Sequence, residues 1–226
     1  MSNGITIASR HVPAGLAATA ITAALTTAAL GLPPSASGDV DLAGSRVYVL
    51  VGKTGLGHEH AVTGALQAGR VRLGAAEKAG TLVFDMRSFR ADAPEARKLL
   101  GLDGKTDAGT RQQVDENMLG PAVLDVTKHP SATFDIHSAL PSQQQPGNGR
   151  TAYDLVGTFL LHGVAKPVTV RVEAEAAGPV VRLWGGFAIR QTDYGMKPFT
   201  KFGGVVGVAD ELRIYGDIRL AAGPPP

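Results

Sequence analysis

The sequence predicts an all-β protein in which about eight antiparallel strands form a lipocalin-like barrel with a short helical insertion. Three observations carry this. From Ser45 onward, apolar and polar residues alternate with period two in one short segment after another, the pattern of a sheet with one buried and one wetted face. Only one stretch, Ala93 to Leu119, changes to helical spacing. A sheet of about eight strands can close on itself and hold one small ligand.

The first 38 residues stand apart from this pattern. Arg10 and His11 precede an apolar, Ala/Thr-rich run from Val12 to Leu32, followed by PPSASG. That order reads as a signal peptide, with Ser35-Ala36-Ser37 as the cleavage candidate. The run exceeds the usual apolar core of about 7–15 residues, so an uncleaved anchor is also open, as is a plain disordered leader. The expectation is export, periplasmic or extracellular, with membrane association through this segment. Residues 39–222 are then the folded domain and 223–226 a disordered tail.

Within the domain, Arg46–Val51 and His58–Leu73 open the sheet. In Thr81–Phe89, Leu82, Phe84 and Met86 oppose Asp85 and Arg87. The insertion follows as two short helices, because Gly101, Gly104 and Gly109 interrupt the spacing of Ala96, Leu99, Leu100, Val114, Met118 and Leu119. Pro121–Val126 adds a further turn, and a connection this long suits a lid over one barrel end. Ala132–Leu140 resumes the alternation, and Thr151–Leu161 continues it through Tyr153, Leu155, Gly157, Phe159 and Leu161. LLHGVAKPVTV (Leu160–Val170) then reads as a hairpin. Gly163 makes the turn, and Pro167 begins the next strand, where a missing N–H is tolerated. Val168–Ala174, Leu183–Ile189 and Leu212–Leu220 complete the set.

Composition narrows the function classes. Of 226 residues, 44% are apolar, enough for a real core, and 19% are charged. A net charge of +2 with scattered Lys and Arg gives no basic run for nucleic acid. The absence of cysteine excludes disulfides, thiolate metal sites and cysteine nucleophiles. VGKTG (Val51–Gly55) lacks the earlier glycine of a phosphate loop, Val47 standing there instead. No G-x-S-x-G is present.

Four motifs occur in a recognisable order: VLDVTKHPSATF (Val123–Phe134), YDLVGTFLLHGVAKPV (Tyr153–Val168), RQTDYGM (Arg190–Met196) and GVADELRIYGDIRLA (Gly207–Ala221). Together they resemble the YceI-like family, and the resemblance runs from about Ser45 to Ala221. It implies an eight-stranded lipocalin-like barrel, typically exported in bacteria, that binds a long isoprenoid or similar lipid in its lumen. GHEHAVTG (Gly57–Gly64) replaces the family's usual opening and resembles a GHDH-containing subgroup. Leu160 stands where the family commonly has Thr, so the ligand need not be that of better-studied relatives.

The expected lumen set is Phe84, Met86, Phe134, Tyr153, Leu155, Phe159, Phe187, Leu212 and Ile214, all on the apolar parity of their strands. Parity alone fits a filled core as well as a lined cavity. The resemblance favours a cavity of several hundred Å3, and Gly157, Gly185 and Gly216 on the inward parity add room for it. The expected function is binding of a long-chain apolar lipid as carrier or sequestering protein, without catalysis or cofactor. Two alternatives stay open. One is a metal-binding protein or metal-dependent enzyme using His58 and His60, whose i, i+2 spacing on a strand would aim both imidazoles at one ion. Against it, Gly64 and Ala65 occupy the positions where a cupin-type site needs a glutamate. The other is a filled barrel acting as an interaction module. His162, off the inward parity, is expected to bond a backbone carbonyl at the hairpin end, and His129 and His137 to face solvent. Oligomeric state is not legible.

Overall fold

The computed structural model describes residues 37–147 and 149–221, so the expected leader and the expected tail lie outside the described residues, apart from its last positions, Ser37 and Gly38. Ten strands form one sheet: β1 (Ser37–Asp39), β2 (Arg46–Gly55), β3 (His60–Arg72), β4 (Gly80–Ala91), β5 (Ser131–Pro141), β6 (Thr151–Leu161), β7 (Val164–Ala177), β8 (Val180–Arg190), β9 (Thr200–Lys201) and β10 (Val206–Ala221). Eight of them close a ring in the order β2-β3-β4-β5-β6-β7-β8-β10, with β10 returning to β2 through Arg46↔Asp217 to Val51↔Leu212. Every pairing is antiparallel. β1 continues the sheet below the start of β2, pairing Arg70–Arg72 of β3, and Val40 bridges to Leu220 of β10.

Closure follows from the two-residue period. Leu155, Phe159 and Leu161 of β6 are buried while Val156 and Leu160 face outward. Leu82, Phe84 and Met86 of β4 join Phe134 and Ile136 of β5 in the same core. Strands this regular leave few backbone groups unpaired, and ring closure removes the free edges an open sheet would expose.

The connection between β4 and β5 carries α1 (Pro94–Leu99) and α2 (Ala108–Leu119). Pro94 occupies the first turn of α1, where its missing N–H costs nothing. Gly101 takes a left-handed φ of 72° just past its end, the usual C-terminal stop. Asp107 caps α2 by accepting the Thr110 N–H at 3.0 Å. Gly109 does not interrupt a helix as expected; it lies in the first turn of α2. Pro121–Val126 forms the further turn, with the Asp125 N–H donating to the Gly120 carbonyl at 2.8 Å.

Three strand boundaries differ from the alternation. β3 begins at His60, not His58, because Leu56–Glu59 is spent on the turn from β2. VGKTG is simply the end of β2. β7 begins at Val164, so Pro167 is its fourth residue rather than its first. The proline is tolerated because β7 pairs β8 only over Arg171–Ala177, while its first half is bonded to β6 alone. That half behaves as an edge, the one place in a sheet where proline fits.

Beyond Gly186, β7 and β8 therefore diverge. The segment after β8 spans the divergence. It makes a 3₁₀ turn at Thr192–Tyr194, buries Tyr194 and Met196, and ties back through the Lys197 N–H to the Ala122 carbonyl at 3.0 Å.

Candidate functional site

Inward side chains of the barrel enclose a cavity of about 220 Å3. Its walls are β-strand positions of the buried parity, and α2 with the following turn supplies its cover through Val114, Met118, Val123 and Leu124. The volume is smaller than the several hundred Å3 expected, because aromatic rings take up the middle. Phe159 is their centre: its ring meets Phe187 at 5.4 Å, Tyr194 at 5.9 Å and Phe84 at 6.3 Å, each edge-to-face. Such geometry places the positive edge of one ring against the negative face of the next.

Eight of the nine expected lumen residues line this cavity: Phe84, Met86, Phe134, Leu155, Phe159, Phe187, Leu212 and Ile214. Tyr153 does not. It is buried, but it is the third residue of β6, paired with Pro141 and Val172 near the far end of the barrel. Parity reports which face a side chain takes and not its height along the axis. Val51, Phe187, Leu212 and Ile214 face the cavity and are only half-buried, so solvent reaches it along β2, β10 and β8.

The inward glycines separate into two kinds. Gly216 has nothing closer to its missing Cβ than the Ile218 side chain at 3.4 Å, and it lines the cavity. Gly157 leaves no such room, since a Cβ there would run into the Asp135 carbonyl and the Phe134 ring. The close approach of β5 explains it, not a ligand.

Methionine is concentrated on the wall. Met86, Met118 and Met196, from β4, α2 and the segment after β8, all line the cavity and are the only methionines among the described residues. Unbranched thioethers repack around irregular apolar shapes at little cost.

Polar side chains on the lining are few: His60, Asn117 and Gln191. His60 is held from behind by a residue that the alternation did not flag. Asp92 follows the end of β4 with a left-handed φ of 55° and a carboxylate closed off from solvent. It binds His60 Nδ1 at 2.8 Å, the Ala61 N–H at 3.0 Å, Arg97 Nη1 at 2.9 Å and Thr106 Oγ1 at 3.0 Å. Burial by itself would raise the Asp92 pKa. His60, the Ala61 N–H and Arg97 outweigh it and hold the carboxyl well below the usual carboxylate range. Arg97 also donates to the Gly104 and Asp103 carbonyls, so one buried acid ties β3 to α1 and to the loop that leads into α2.

The metal alternative depended on a shared strand face. His58 lies exposed in the turn before β3, and His60 is engaged by Asp92. Among the described residues no group of three or more His, Cys, Asp or Glu could hold an ion. His162 lies outside the cavity lining and its Nδ1 is 3.0 Å from the Tyr194 carbonyl, as the hairpin reading expects. His137 is exposed. His129 is not simply solvated: its ring packs 4.5 Å from that of His162, and it is half-buried.

Residues 39–220 match the model of the YceI-like domain. The chain belongs to that family. Among curated relatives, a UPF0312 protein of Azotobacter vinelandii is 32% identical over 103 residues, covering 44% of this chain and 48% of the relative. A UPF0312 protein of Pseudomonas aeruginosa is 27% identical over 126 residues, covering 52% and 59%. The chain thus spans about half the length of the curated relatives it matches. Burkholderia cenocepacia BcnA superimposes with a TM-score of 0.53 at 20% identity, over 81% of this chain and all of that one. A polyisoprenoid-binding domain of Saccharophagus degradans, implicated in plant cell wall breakdown, does so with 0.56 at 13% identity, over 84% and 99%. At these identities the two structures establish the shared fold.

Proposed function

We propose that this YceI-like barrel binds a long-chain apolar lipid of polyisoprenoid type in its lumen, as a carrier or sequestering protein, and performs no catalysis. The observation that carries the reading is the lining: apolar from β2 round to β10, with His60 the one titratable side chain on it among the described residues. Apolar cavities of about 150 Å3 already stay dry and take up small hydrocarbons. A long chain needs more than 220 Å3, and the methionines on three separate elements are where the wall yields. The half-buried rim of Val51, Leu212 and Ile214 gives the chain its way in. With His60 held by Asp92 beside the cover, a polar end of the ligand belongs at that rim and the hydrocarbon below it. The binding activity that names the Saccharophagus domain supports the same ligand class. The apolar run Val12–Leu32 supports export as part of this proposal.

Native mass spectrometry of the purified full chain, followed by lipid extraction, tests it. The expected result is a protein mass raised by one lipid and lowered to the apo value on extraction. Absence of both a co-purified lipid and saturable uptake of an added polyprenol would overturn the reading.

A further inference from the structure

Two turns at the cavity's open end carry the three most exposed large apolar side chains among the described residues. Leu56, between β2 and β3, is 76% exposed; Phe202 and Val205, between β9 and β10, are 80% and 52% exposed. The turns are joined, since the Leu56 N–H donates to the Val205 carbonyl at 2.9 Å. Phe202 holds its ring outward from a left-handed backbone, φ 51°, an uncommon conformation for a bulky side chain. Exposed apolar residues gathered on neighbouring turns mark a surface that meets something apolar.

The charges around them say what. Val51–Gly57 and Met196–Gly207 contain Lys53, Lys197 and Lys201, all exposed, and no carboxylate. The Lys201 ammonium lies 5.6 Å over the Phe199 ring. The nearest acids in sequence are Glu59, on the turn that carries Leu56, and Asp193 and Asp210, which flank the second segment. Two narrow turns offer far less than the roughly 800 Å2 per partner of a stable protein interface. A few apolar side chains ringed by lysines are sufficient to enter the headgroup layer of an anionic bilayer. The same segment also builds the lumen, because Phe199 and Val208 line the cavity.

We infer that Leu56, Phe202 and Val205 form a membrane-docking tip that seats the open end of the barrel on an anionic lipid surface. The docking is independent of the N-terminal segment and of which lipid the lumen holds. It places the cavity rim against the layer from which an apolar ligand would enter.

The test uses the full chain and vesicles of phosphatidylcholine with and without phosphatidylglycerol. Wild type should sediment with the anionic vesicles. Leu56→Ser/Phe202→Ser should lower the partition coefficient by on the order of tenfold or more, with an unchanged thermal melt. Lys53→Gln/Lys201→Gln should abolish the preference for phosphatidylglycerol. Phe202→Trp in a Trp184→Phe background should be quenched by lipids brominated on their acyl chains, placing the tip inside the bilayer. Equal vesicle binding by wild type and the serine pair, or no quenching, would overturn the inference. So would a wild-type dimer that the serine pair dissociates without any vesicle binding, since the surface would then join two copies.

Discussion

Replacing Phe159 with alanine should damage both stability and ligand binding, and the two losses have separate origins. The ring is buried and touches three other rings. Truncating a well-packed phenylalanine costs roughly 3–5 kcal/mol. Part of this ring already faces the cavity and has no packing partner there to lose, which puts the cost near the lower bound, about 3 kcal/mol. For a domain of this size that lowers Tm by about 6–12 °C. The ring's lumenal face is also lost to the ligand, and a loss of about 1.4 kcal/mol there weakens binding tenfold. Tyr153→Ala is the matched control: an equally buried ring outside the cavity wall, predicted to destabilise by a similar amount without changing affinity. Calorimetric melts give the first quantity and displacement of a fluorescent lipid gives the second. If Phe159→Ala binds lipid as wild type does while Tyr153→Ala does not, the cavity has been assigned to the wrong end of the barrel.

Four further outcomes follow from other parts of the molecule. His162→Ala removes the bond to the Tyr194 carbonyl and should cost about 0.5–1.5 kcal/mol, with lipid affinity unchanged in the same displacement assay. Asp92 has a depressed folded-state pKa, so its stabilisation is complete above the ordinary carboxylate value of about 4 and fades as pH falls below it. Asp92→Asn should therefore flatten the acid limb of stability against pH, while lowering denaturant stability at neutral pH by about 3–5 kcal/mol through the stranded Arg97. Elemental analysis of dialysed protein should find no stoichiometric zinc, nickel or copper; one ion per chain, lost in His58→Ala/His60→Ala, would revive the metal reading. Labelled methionine methyls should report the ligand directly. The signals of Met86, Met118 and Met196 should all shift on lipid addition, and a response from Met118 alone would confine the ligand to the cover.

Most of the barrel was legible because each strand states its own inward face. β6 is buried at Leu155, Phe159 and Leu161 for the same reason that its sequence alternates. What parity omits is any relation between strands. It cannot report that Tyr153 stays off the cavity wall while its partner Val172 lines it, nor that Gly157 is small because β5 crosses it closely. Pro167 alone points to a strand start, whereas its actual tolerance depends on β8 turning away, a fact of β8 and not of the proline. Asp92 was missed for a related reason. Its partners Ala61, Arg97 and Thr106 are brought to it from β3, α1 and the loop before α2. An aspartate ahead of Pro94 reads locally as an ordinary helix approach, and only its place between Ala91 and Ala93 hinted at more.

The joint between β2 and β10 has a temporal consequence. It bonds Arg46 to the register of Asp217, positions roughly 170 residues apart in sequence, whereas most of the other ring joints are made between strands adjacent along the chain. Hairpins such as β6–β7 can zip as they emerge, but the ring has no last member until β10, the final strand of the domain, has been made. Until then β2 and β8 are both unpaired on the side that β10 will take, and the apolar interior is open to water. The nascent domain is thus an unclosed ribbon through almost all of its synthesis, and closing the long loop between its first and last ring strands is expected to limit its folding rate.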